Sequence, residues 1–252
     1  ISLFEKDAYR FKGRPYDYDG CGIICAKLPV DDIKTVAKKY NATITEYLTA
    51  LYMLSIYEAW LKDKPVKNKD VKILVPINLR SRFASKTMRN FTLYVRCKHD
   101  FHTDISLEEC IALCKEQIAK GLDTEEIEKL IHYNVKIEKN VLIKIVPLFL
   151  KDIVMKLSYM RVGENLQSGD ISNIGLVKTP ECFNGRLKDL TFVIGPTKSA
   201  KQNLGVIGYN GNIYITSARG YVENDIERIL IRKLADSGID ITVTSNFWEA
   251  DL

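Results

Sequence analysis

The chain has 252 residues, 46% apolar and 27% charged, the balance of a water-soluble globular protein and too apolar for a disordered one. Thirty-seven basic against 32 acidic side chains leave a net charge of +5. The signs are interspersed, as where Asp31 and Asp32 neighbour Lys34, Lys38 and Lys39, so no basic block marks a nucleic-acid partner.

A polar, Tyr-rich lead-in ends at Gly20, and Cys21 to Leu28 then reads as a strand of small and branched residues. Pro29 and Asp31 open a short helix to about Tyr40. Thr43 and Glu46 have the spacing of a capping box, in which hydroxyl and carboxylate each satisfy a free amide at a helix start. The helix it introduces runs to about Leu61 and is apolar on nearly every side, as a core helix is. Val71 to Leu79 and Phe91 to Lys98 read as the next strands, and Ser106 with Glu109 caps a helix to about Ala119, where Gly121 suits a left-handed stop. Two further helical stretches follow, Asp123 to Glu138 and Lys144 to Met160. The longest apolar run, Val141 to Leu150, is broken by Lys144 and Pro147 and is too short to span a bilayer.

The last third reads as strands Ile171 to Val177, Asp189 to Ile194, Leu204 to Tyr209 and Asn212 to Ser217. Asn210-Gly211 joins the last two, a pair that tolerates positive φ and so marks a tight hairpin. A helix from about Glu223 to Asp236 stops at Gly238, and Ile239 to Thr244 makes a final strand. Strands and helices mix without strict alternation, which predicts an α/β (α+β) domain with a mixed, largely antiparallel sheet covered by helices.

None of the six cysteines forms a C-x-x-C pair, and His99, His102 and His132 are not at metal-ligand spacing from them. Cys110 and Cys114 share one face of a predicted helix and read as small buried hydrophobes. Unpaired cysteines predict a reducing, cytoplasmic setting.

Three short signatures remain: Val75-Pro76-Ile77-Asn78-Leu79-Arg80, Arg89-Asn90-Phe91 and Ser172-Asn173-Ile174-Gly175. Their order resembles the C-terminal half of the chloramphenicol acetyltransferase-like superfamily, above all its alcohol acetyltransferase and condensation-domain branches. The resemblance covers nearly the whole chain. It implies two similar lobes with a tunnel between them, a coenzyme A or carrier-bound acyl thioester as co-substrate with no covalently bound cofactor or metal, and an alcohol or amine acceptor. In that family an H-H-x-x-x-D-G motif supplies the base, and nothing here matches it; His99-Asp100-Phe101-His102 is the nearest approach. The base is therefore expected upstream of Ile1. Residues 1–252 are then the C-terminal lobe, whose partner is the N-terminal catalytic lobe and which self-associates when alone. The alternative is a non-catalytic binding or assembly module of the same fold, or an oligomer whose neighbouring chain supplies the missing groups.

Within that resemblance Ser172, Asn173 and Gly175 are expected to line the tunnel, because their strand carries small and amide side chains where Val or Ile is usual. A bulge or a strand end capped by Asn173 explains the same residues. Asn78 is expected at the sheet's edge beside them. Arg80, Arg82 and Arg89 offer forked donors to the phosphates of a thioester donor, while a buried carboxylate is the other partner open to Arg80.

Overall fold

The computed structural model describes residues 5–17, 20–81, 83, 86, 88, 90–140, 145–158, 166–183 and 185–246. Its frame is a seven-stranded sheet: β1 (Gly22–Pro29), β2 (Asp70–Asn78), β3 (Thr92–Asp100), β4 (Gly169–Leu176), β5 (Gln202–Tyr209), β6 (Asn212–Arg219) and β7 (Thr242–Ser245). The order across the sheet is β3-β2-β4-β5-β6-β1-β7, with β4 parallel to β2 and β5 and every other pair antiparallel. The mixed, mainly antiparallel sheet expected from the sequence is the one found.

The helices are α1 (Val30–Lys39), α2 (Ile44–Ile56), α3 (Leu107–Gly121), α4 (Thr124–Lys139), α5 (Leu148–Ser158) and α6 (Asp225–Asp236). Both capping boxes form: Thr43 N–H donates to Glu46 Oε2 at 2.7 Å, and Ser106 N–H donates to Glu109 Oε2 at 2.9 Å. α2 buries every residue from Glu46 to Ile56 and continues as one π-helical turn, Tyr57–Leu61. Around it α1, α3 and α6 pack their apolar stripes onto one face of the sheet, so α2 is the centre of the core. Cys110 and Cys114 lie inside that core.

Two expectations fail. The helix α3 runs through Gly121, whose φ is not left-handed; a Cβ there would stand 2.2 Å from Val95, so the glycine admits a side chain of β3 and does not cap the helix. Asp189 to Ile194 is not a strand. Both edges of β5 are already occupied by β4 and β6, so this segment crosses the opposite face of the sheet. Side chains hold it there: Thr216 Oγ1 donates to the Phe192 carbonyl, and Asn203 Nδ2 donates to that of Gly195 at 2.8 Å.

The hairpin forms as expected, with Asn210 and Gly211 at φ of 47° and 74°. α5, expected over Lys144 to Met160, covers Leu148–Ser158, and its Phe149, Ile153 and Leu157 are 65%, 54% and 60% exposed. Among the described residues no helix is long and apolar enough to cross a membrane.

Candidate functional site

The parallel strands β2 and β4 pair only at Ile73–Gly169 and Leu74–Asp170. Beyond that point they part. β2 stays with β3 as far as Asn78, and β4 stays with β5 as far as Leu176. The carboxyl ends of parallel strands that diverge in this way are where open sheets form binding crevices.

At the end of β4 the ladder slips. Asn173 pairs with Val206 and Leu176 with Gly208, so Ile174 and Gly175 oppose the single residue Ile207. This is a β-bulge, a device that re-aims side chains next to a site. Its cause is local: Asn173 Oδ1 accepts from the Gly175 N–H at 2.9 Å, and Gly175 takes a φ of +77° that side chains disfavour. The other end of the same amide is fixed from far away in sequence. Asn173 Nδ2 donates to Thr45 Oγ1 at 3.1 Å, tying the bulge to the first turn of α2.

A groove of about 520 Å³ lies over this junction. α1 forms one wall with Asp31, Lys34, Ala37 and Lys38; the start of α2 closes one end with Thr43 and Ile44. Asn173, Gly175 and Leu176 of β4 form the facing wall, and Gly208 and Ile213 from the β5–β6 hairpin form its base. Its size is that of a small-molecule site, and its apolar surface with a few convergent polar groups is of the usual kind.

Of the residues singled out in the sequence, Asn173 and Gly175 meet in the groove. Ser172 does not. It pairs with Gly205, and successive strand residues face opposite sides, so it turns away from the face on which Asn173 meets α2. Asn78 does not line the groove either: it and Arg80 are exposed at the end of β2, where Asn78 Oδ1 accepts from the Arg80 N–H at 3.0 Å. Arg82 and Arg89 lie outside the described residues. Sequence reasoning missed Lys34 and Lys38, which line the groove, and Thr45, which holds the Asn173 amide from behind it; each is there only because α1 and α2 pack where they do.

No histidine lines the groove. His99 hydrogen-bonds the Thr103 carbonyl at 3.0 Å, and His102 pairs with Asp100, whose carboxyl it holds below the usual range. The described titratable group that departs most informatively is Asp170, at the point where β2 and β4 separate. Burial pushes its carboxyl up to about 6, and its Oδ1 is buried without a hydrogen-bond partner.

Among solved structures the chain is similar to the trichothecene 15-O-acetyltransferase of Fusarium sporotrichioides, at 14% identity and a TM-score of 0.51 over 90% of this chain and 48% of that one. It is similar to the wax ester synthase/diacylglycerol acyltransferase of Marinobacter aquaeolei VT8, at 11% identity and 0.50 over 85% and 48%. The epimerization domain from the third module of tyrocidine synthetase B gives 12% and 0.50 over 92% and 49%. At these identities the likeness shows that the chain shares the fold of one half of these structures, and nothing of their roles. The chain spans about half the length of these three structures. No curated protein matches its sequence. The model of the alcohol acetyltransferase family matches residues 23–210, which is 188 of the 252 residues and includes Asn173, Gly175 and both strands that flank the opening. The chain belongs to the alcohol acetyltransferase family.

Proposed function

We propose that this chain is the reactant-holding half of an acyltransferase that moves an acyl group from a coenzyme A or carrier thioester to an alcohol or amine. The proton is removed by a group outside it, on a lobe carrying H-H-x-x-x-D-G. The observation that carries this reading is the convergence of Asn173, Gly175 and the start of α2 on one groove that no histidine lines. A positioned base contributes about 10² to 10⁴ in rate, so the chain alone is a poor catalyst. What it supplies is placement and charge stabilisation.

Asn173 has two amide hydrogens. One is held by Thr45, and the other, its direction fixed by the same two hydrogen bonds, is on this reading the donor that meets a thioester carbonyl as it becomes an oxyanion. The donor's phosphates lie on this reading near the exposed end of β2, within reach of Arg80. The donor is a co-substrate, and no prosthetic group is part of the proposal.

The test is acetyl transfer from acetyl-coenzyme A to a panel of alcohols and amines, by the 252-residue chain and by the full-length product of its gene. Turnover is expected from the full-length product only. Turnover by the chain alone that survives replacing His99, His102 and His132 together would overturn the reading.

An assembly role is favoured by a different observation, the uncovered apolar side of α5. If that role is the whole function, sedimentation shows self-association that Phe149→Glu abolishes, and the full-length product transfers no acyl group.

A further inference from the structure

Asp31, Lys34, Ala37 and Lys38 follow one another at the spacing that shares one side of a helix, and this side of α1 is a wall of the groove. Ala37, 1% exposed, is the apolar part of that wall, and Ile213 of the base is 3% exposed. Lys34 and Lys38 are exposed at the rim, and neither enters a salt bridge among the described residues. Among the lining residues the one acid against them is Asp31; the start of α2, which closes the groove beside Thr43, is already met by the capping carboxylate of Glu46 and adds no free positive end. The floor is apolar and the rim carries a surplus of positive charge. A complementary molecule has an aliphatic body and a negatively charged end.

We infer that the groove binds an aliphatic chain ending in a carboxylate or phosphate. The chain lies on Ala37, Leu176 and Ile213, and the anion meets Lys34 and Lys38. This goes beyond the acyltransferase reading, in which the reacting acyl group enters as an uncharged thioester. If both hold, such an anion competes with the donor for the groove. Binding needs no turnover, so the inference stands or falls separately from that reading.

The test is isothermal titration of the 252-residue chain with hexanoate, heptanoate and octanoate, with 1-octanol and octyl phosphate, and with inorganic phosphate. Burying one methylene is worth roughly fourfold in affinity, so the carboxylate series is expected to tighten by about that factor at each step. Exposed lysines contribute modestly, so octanoate or octyl phosphate is expected to bind about fivefold tighter than 1-octanol. The preferred anion, octanoate or octyl phosphate, tells which head the rim selects. Replacing both Lys34→Glu and Lys38→Glu is expected to erase that fivefold advantage and leave 1-octanol unchanged. Leu176→Glu, at a position 65% exposed and so safe for folding, is expected to weaken every chain at least fivefold. The inference is overturned by affinity independent of chain length, by 1-octanol or inorganic phosphate binding as tightly as the anionic chains, or by binding that neither variant changes.

Discussion

Asn173 and Thr45 lie 128 positions apart in the sequence and share a hydrogen bond of 3.1 Å, amide to hydroxyl. With its oxygen taking the Gly175 N–H, the amide is held at both ends and cannot rotate freely. A donor fixed before reactants arrive costs no reorganisation during reaction, which is why such groups carry large effects. In the full-length product Asn173→Ala is expected to lower kcat for acyl transfer about a hundredfold or more. Thr45→Ser keeps the acceptor and is expected to stay near wild type, while Thr45→Val is expected to lose activity nearly as far as Asn173→Ala. Equal kcat for the Thr45→Ser and Thr45→Val proteins would refute the positioning role.

Asp170 makes a pH prediction. Burial raises its carboxyl from 3.8 to about 6, so the folded chain favours the neutral form more than the unfolded chain does. Its contribution is therefore intact below about pH 4 and is lost as pH rises through 6, the reverse of a salt-bridged carboxylate. The gap corresponds to roughly 3 kcal/mol at neutral pH. Asp170→Asn keeps the backbone N–H that donates to Asn203 at 3.0 Å and removes the charge. In urea titrations the variant is expected to match wild type near pH 4 and exceed it by roughly 2–3 kcal/mol at pH 8. A constant difference across that range would count against the assignment.

Much of this fold is written locally. Thr43 with Glu46 announces the central helix, and Asn210-Gly211 announces the hairpin, because capping and turn chemistry act over a few residues. Asn173 and Gly175 stood out for the same reason: a strand with an amide and a glycine where branched residues are usual has a local anomaly to explain. Thr45 carried no such mark. Its hydroxyl matters only because α2 crosses the end of β4, a fact of packing between distant segments. Asp189 to Ile194 also misled, since a short apolar stretch between turn residues reports a face to bury, here that of Leu190 and Phe192, and says nothing about whether a sheet has a free edge. Ser172 shows the finer version of that limit: the bulge and strand phase decide which of two neighbours faces the groove.

Beneath the sheet Arg219 donates to Glu227, and Gln202 Nε2 donates to the same carboxylate at 2.7 Å and to Ser217 at 2.8 Å. Arg219 and Glu227 are both nearly inaccessible, and burial already pushes the glutamate's carboxyl up. Arg219→Met leaves that carboxylate uncompensated and is expected to cost about 3–5 kcal/mol in chemical denaturation, more at pH 8 than at pH 5. Pairing it with Glu227→Leu removes the stranded charge and is expected to recover most of the loss. Additivity of the two single losses in the double variant would show that the pair is not coupled.

Gly205 and Gly175 separate two reasons for a glycine. Gly175 has an unfavourable φ of +77° but nothing within 4 Å of where a Cβ would stand. Gly205 has ordinary dihedrals, yet its Cβ would sit 2.1 Å from the Phe192 carbonyl oxygen and 2.8 Å from Thr216 Oγ1. Gly175→Ala is expected to cost about 1–2 kcal/mol, from strain alone. Gly205→Ala must push the crossing segment 189–195 off the sheet and break the Thr216–Phe192 hydrogen bond, so overpacking and a lost bond add to about 3–4 kcal/mol. Urea midpoints for the two variants, with unchanged slopes, check the ordering; a larger loss for Gly175→Ala would mean that the segment over β5 yields more easily than its hydrogen bonds imply.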